Sequence, residues 1–317
     1  MGRRKTAAAV FALIFSLFSL TAVYAAEEKG AAKQPRFVTF EKAAENAEEL
    51  YGEYIPVLMY HHFANRNMES GNGMVTTVEE LEEHLRYFRA EGWRVISLEE
   101  LDQVLTKAAL KKEGSGDENC GLHLHMKYLC ITMDDGYYSN YELAYPLFRE
   151  YRVPAAVFAI TDFITEQEGL KKFTWKQAQE MDETGWLKVY SHSADHIPVE
   201  EGQEEAFLSC MQKSELTLEE NLKEEHVKAM AYPNGRYTEE SQRLLDEDGY
   251  VLQFSIEKGV ITHETERHAI PRITVESGMT GEDVVRKIEL AAEKAFAAER
   301  EGNSNEKNDY CGQLENE

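Results

Sequence analysis

Short apolar runs alternate with longer amphipathic ones along most of this chain. Ile55–Tyr60, Trp93–Leu98, Tyr128–Ile131, Ala155–Ile160, Leu187–Ser191, Val227–Tyr232, Tyr250–Ile256 and Ile270–Val275 are brief and mostly apolar. Runs of this kind read as buried strands. Between them lie stretches with helical spacing. Thr77 and Glu80 form a capping box ahead of Leu81, Leu85 and Phe88, and Gly92 stops that helix. Further helices are predicted over about Glu99–Lys107, Ser139–Glu150, Thr174–Thr184, Gln203–Glu224, Thr238–Asp248 and Gly281–Ala297. Such alternation predicts a parallel sheet, and about eight strand–helix steps favour a closed α/β barrel over an open sheet.

The ends carry a different pattern. Arg3, Arg4 and Lys5 precede an apolar stretch from Ala7 to Ala22, and Val23-Tyr24-Ala25 offers a cleavage site. That is the layout of a secretory signal peptide over residues 1–25, followed by a polar linker over 26–53. The folded domain is expected over 54–298 and an acidic disordered tail over 299–317. A secreted or cell-surface protein follows, with a retained signal segment as the one route to a membrane.

Net charge is −24, from 34 basic and 58 acidic residues. This argues against nucleic acid or an anionic membrane surface as a general partner. The four cysteines, Cys120, Cys130, Cys210 and Cys311, show no C-x-x-C spacing, so a thiolate zinc site is not expected. A Cys120–Cys130 or Cys120–Cys210 bridge is compatible with export. The segment 111–126 reads as a surface loop, and its His123 and His125 as ordinary surface residues.

Candidate chemistry sits where predicted strands stop. Asp134 and Asp135 follow one apolar run and precede Gly136; His61 follows another; His192 and His196 follow a third. Asn234 and Arg272 belong to two more, and in a parallel barrel all these ends meet on one face. Alone, adjacent acids read as a polar loop, because like charges raise each other's pKa unless a cation separates them. Two imidazoles with a carboxylate suit a zinc-like ion, provided His192 and His196 sit on one helical turn.

On these residues the chain resembles the polysaccharide deacetylases, carbohydrate esterase family four with its NodB-homology domain. Ile131-Thr132-Met133-Asp134-Asp135-Gly136 is similar to the family's T-F-D-D-G motif, with Met133 for phenylalanine. Ser191-His192-Ser193-Ala194-Asp195-His196 is similar to its H-S/T-x-x-x-H motif. Ala231-Tyr232-Pro233-Asn234-Gly235 resembles R-x-P-Y-G, with Ala231 and Asn234 as departures. Pro56–His61 is similar to the opening strand of exported poly-N-acetylglucosamine deacetylases.

The resemblance implies a distorted (β/α)7-8 barrel. It also implies a divalent metal, most often zinc, held by Asp135, His192 and His196, with Asp134 as general base. A backbone N–H near Asn234 would face the oxyanion. The family's late L-x-H histidine has no counterpart after Arg272. The motif order is permuted in the branch this chain resembles, which implies the first-strand histidine, His61, as general acid, with His62, His263 and His268 as weaker candidates. Arg272 would be the charge partner of Asp134. Tyr137, Tyr138 and Trp175 are candidates for a sugar groove.

The implied activity is a monomeric hydrolase acting on an acetylated polysaccharide: poly-N-acetylglucosamine, peptidoglycan or a chitin-like polymer. A polysaccharide O-acetyl esterase and a non-catalytic glycan-binding barrel are the alternatives. A nicotinamide enzyme is disfavoured, since no G-x-G-x-x-G follows a strand.

Overall fold

The computed structural model describes residues 54–65, 73–114, 127–223 and 226–314. The signal peptide, the linker, Cys120 and the His123–His125 pair lie outside them. The strands are β1 (Val57–Tyr60), β2 (His62–Ala64), β3 (Val75–Thr77), β4 (Trp93–Val95), β5 (Lys127–Asp135), β6 (Ala155–Ala159), β7 (Leu187–Ser191), β8 (Ala229–Ala231), β9 (Leu252–Lys258) and β10 (Ile270–Thr274). The helices are α1 (Val78–Ala90), α2 (Leu98–Gly114), α3 (Tyr145–Tyr151), α4 (Trp175–Thr184), α5 (Glu204–Asn221), α6 (Glu239–Glu247) and α7 (Gly281–Leu314).

The main sheet runs β1-β10-β9-β8-β7-β6-β5-β4, and β1 pairs with β5 as well. The strands from β5 round to β1 therefore close on themselves, with every pairing parallel. Strand β4 stands outside this ring. It pairs with the first residues of β5, Lys127–Leu129, while β1 takes Cys130–Met133. The expected α/β barrel is what forms, of the distorted kind.

Side-chain alternation splits the core into two layers. Val57, Tyr128, Cys130, Ala156, Phe158, Tyr190, Ala229, Ala231, Leu252, Phe254 and Ile270 fill the barrel interior. Leu58, Ile131, Met133, Val157, Val189 and Ile273 point outward against Leu81, Leu85 and Phe88 of α1 and Ile288 of α7. The capping box of α1 is present, with Thr77 accepting from the Glu80 N–H and Glu80 from the Thr77 N–H. Cys130 and Cys210 carry free thiols, so neither joins a bridge.

Several boundaries differ from the sequence expectation. β2 and β3 form a small parallel sheet of their own; three residues are too few to show alternation. Residues Asn140–Ala144 make a π-helical turn before α3, where one continuous helix is expected. α2 continues to Gly114, because Ala, Leu, Lys and Glu sustain a helix where the sequence reading expects a loop. α7 likewise runs to Leu314, through most of the segment expected to be a disordered tail. No helix among the described residues is long and apolar enough to cross a membrane.

Candidate metal centre

The site lies at the carboxyl ends of the barrel strands and begins with an exception to alternation. Tyr128, Cys130, Thr132 and Asp134 occupy the inward positions of β5, so Asp134 caps the interior column. Asp135 should then face outward. Its backbone instead adopts φ 73°, a left-handed conformation costing about 1–2 kcal/mol for a residue with a Cβ. That turn brings the second carboxylate over the barrel mouth. Gly136 follows at φ 68°, and a Cβ there would meet the Ala159 Cβ at 3.1 Å.

His192 and His196 reach the same point from the end of β7. They are not on a helical turn. Ser193 (φ 64°) and His196 (φ 62°) are both left-handed, and this twisted loop brings the two imidazole centroids to 4.8 Å. Ser193 secures it, its hydroxyl accepting from the His196 N–H at 3.0 Å. His192 Nδ1 lies 2.7 Å from the Ala231 carbonyl, so this nitrogen carries the proton and Nε2 keeps a lone pair. Burial holds the His192 pKa down, which favours the neutral, ligating form.

Asp135 Oδ1 lies 3.7 Å from His192 Nε2 and 3.6 Å from His196 Nε2. One ligand atom from each of the three residues lies within 4.8 Å of the others. Tetrahedral arms of about 2.1 Å would separate ligand atoms by about 3.4 Å, so the donor set fits a zinc-sized ion with little movement. A backbone carbonyl orienting one imidazole is the usual support for such a ligand.

Asp134 has a different environment. Arg272 donates Nη1 to Oδ1 and Nη2 to Oδ2, each at 2.7 Å, and both residues are buried. Burial alone would raise the Asp134 pKa; the Arg272 guanidinium, helped by His192 and His61, holds it well below the usual carboxylate range. Arg272 itself lies in the middle of β10, not at its end as the sequence reading has it, and its long side chain spans the difference. The β9–β10 register shifts between Ile270 and Arg272, and the Ser255 carbonyl in that irregular stretch accepts Arg272 Nε at 2.8 Å.

Around this centre stand the other expected residues. His61 follows β1; Asn140 Nδ2 donates to its carbonyl at 2.8 Å, while its buried Nδ1 has no hydrogen-bond partner. His62 bonds Ser139 Oγ through Nδ1 at 2.9 Å and packs edge-on against Tyr137. Tyr137 is half-buried, its phenol pushed up by burial and by the Asp135 carboxylate. Asn234 follows β8 with φ 53°. Trp175 is partly buried and packs against the outer core layer. His263 follows the bridge joining Ile261 to Ile55, and His268 pairs with Asp246 ahead of β10. Both belong to the opposite end of the barrel.

Sequence reasoning missed Lys172, which is buried and donates Nζ to the Asp135 carbonyl at 2.8 Å. Burial pulls its pKa down to about 8. It also missed Ser139 and Asn140, whose bonds tie the chain after β1 to the turn after β5. Nothing in their local pattern distinguishes them from surface polar residues.

Comparison with known proteins supports the same kinship. Residues 123–252 match the family described as Polysaccharide deacetylase, a span holding Asp134, Asp135, His192, His196 and Asn234 but neither His61 nor Arg272. The Bacillus subtilis protein YxkH, which carries a polysaccharide deacetylase name, is 29% identical over 231 residues, 72% of this chain and 73% of that protein. A poly-beta-1,6-N-acetyl-D-glucosamine N-deacetylase of Staphylococcus epidermidis is 26% identical over 209 residues, 63% of this chain and 67% of its own. The fold is similar to that of the Streptococcus pyogenes deacetylase PplD, solved in complex with acetate. The TM-score is 0.62 at 24% identity, covering 74% of this chain and 98% of that one.

Proposed function

The chain belongs to the polysaccharide deacetylase family, and from that premise we propose that it is an exported, zinc-dependent hydrolase of N-acetyl groups on an N-acetylglucosamine polymer. One observation carries the reading. Asp135, His192 and His196 converge with ligand atoms within 4.8 Å, beside an Asp134 charged and held by Arg272. The Staphylococcus epidermidis relative, named for poly-beta-1,6-N-acetyl-D-glucosamine, makes that polymer the first substrate to test. The basic start and apolar stretch of residues 3–25 support export.

A divalent ion bound by the three ligands would polarise the acetyl carbonyl and bring the pKa of a water towards 7. The protein's own groups supply the rest. Asp134 accepts the proton of the attacking water. Arg272 occupies one lone pair on each of its oxygens, which leaves the others open. His61 presents an unpartnered ring nitrogen near Asp134 and protonates the departing amine. The backbone N–H near Asn234 stabilises the developing oxyanion; donors of this type contribute roughly 3–4 kcal/mol.

The test is acetate release from β-1,6- and β-1,4-linked N-acetylglucosamine oligomers, peptidoglycan and acetylated xylan. Release from an N-acetylglucosamine polymer is expected. Release from acetylated xylan alone would replace the amidase reading with an esterase.

A further inference from the structure

Asp135 faces the site only because its backbone turns left-handed where the pleat would send it outward. A loop lies along this turn and holds it from outside. The Tyr138 N–H donates to the Lys171 carbonyl at 2.8 Å and the Phe173 N–H to the Gly136 carbonyl at 3.3 Å. Tyr137 and Lys172 form an antiparallel bridge between the two segments. The loop is braced in turn, with the Thr165 N–H on the Phe173 carbonyl and the Lys172 N–H on the Glu166 carbonyl, both at 2.9 Å.

Lys172 completes this clamp with its side chain. Nζ reaches the Asp135 carbonyl at 2.8 Å and sits 3.8 Å from the centre of the Tyr137 ring. Lysine is seldom this buried, at 8% exposure, without a specific partner. The partner here is a main-chain oxygen. What the ammonium fixes is therefore the peptide plane leaving Asp135, and with it the direction in which the Asp135 side chain emerges.

We infer that Lys172 is a positioning residue for the metal centre: its ammonium pins the Asp135 carbonyl and so keeps the Asp135 carboxylate within reach of His192 and His196. The inference rests on the reading of those three residues as metal ligands. Lys172 is not one of the three candidate ligands, so its effect belongs in metal affinity and coordination geometry.

The experiment strips the full-length protein with a chelator and titrates it with zinc against a chromophoric competitor. Wild type should bind one zinc per chain, and Asp135→Ala should lose it. Lys172→Met should bind about ten-fold or more weakly, the range found when groups supporting a ligand are removed. Lys172→Arg, which can still donate to the carbonyl, should recover most of the affinity. Cobalt-substituted Lys172→Met should show shifted visible bands at a temperature well below its melting point, where a purely structural defect would leave them unmoved.

A Lys172→Met protein with wild-type zinc affinity and cobalt spectrum overturns the inference while leaving the metal reading intact. So does Lys172→Arg binding as weakly as Lys172→Met, since packing and not the hydrogen bond would then matter. A wild-type chain that takes up no zinc refutes the metal reading, and the inference falls with it.

Discussion

Asp134 and Asp135 are neighbours in sequence, yet one faces a buried arginine and the other two imidazoles. The buried Arg272–Asp134 pair is costly to break from one side, because the remaining charge loses its partner in a dry interior. Asp134→Asn should therefore lower stability at pH 7 by roughly 3 kcal/mol or more, measured by denaturant unfolding. It should also reduce kcat by about 10²–10⁴, the usual contribution of a positioned proton acceptor.

The pH dependence follows from the direction of the shift. Asp134 has a lower pKa in the folded than in the unfolded chain, so its stabilising contribution is present above the ordinary carboxylate value of 3.8. It disappears as pH falls through the lowered folded value. Wild-type melting temperature should thus drop steeply from about pH 5 downward, and Asp134→Asn should give a lower, flatter profile. At His61, replacement by alanine should remove the basic limb of the kcat profile if this imidazole donates the proton. An unchanged limb would assign that role elsewhere.

At the scale of elements, turns carry the site. Gly235 follows β8 at φ 66°, and a Cβ there would lie 2.2 Å from Ile256 Cγ1. Gly92 after α1 has a similar φ of 77° but nothing within 4 Å of its missing Cβ. Both alanine variants incur the left-handed strain of about 1–2 kcal/mol, and only Gly235→Ala adds a clash. Gly235→Ala should be the less stable of the two in chemical denaturation. Its loop also carries Asn234, so activity should fall with it, whereas Gly92→Ala should keep its activity. Equal losses of stability would mean that the Ile256 contact relaxes freely.

These turns also mark what the sequence does and does not reveal. Continuous apolar runs expose the strands, which are buried on both faces, and helical spacing exposes most helices. The spacing of His192 and His196 points to a shared ligand but suggests a helical turn. The actual geometry uses left-handed Ser193 and His196, which a spacing of four does not foretell. The same holds for Asp135, whose inward turn depends on a loop more than thirty residues later. Arg272 is legible as a partner of Asp134 only through kinship, since its strand position alone places it too deep.

For the whole molecule, the closed ring of parallel strands explains how residues from β5, β7, β8 and β10 share one mouth. The net charge is −24. It governs solubility and discourages polyanionic partners more than it shapes the site. The β9–β10 irregularity and the π-helical turn after β5 both lie beside the proposed centre, where departures from regular geometry re-aim side chains.

Under the proposed function, Asp135, His192 and His196 hold a single ion on which acetyl hydrolysis depends. The direct measurement is acetate release from β-1,6-linked N-acetylglucosamine oligomers by chelator-stripped protein as zinc is added back. Activity should be absent at the start, rise linearly to one equivalent of zinc per chain and then level off, with His196→Ala inactive throughout. Full activity in the stripped protein, or in His196→Ala without added metal, would contradict the account.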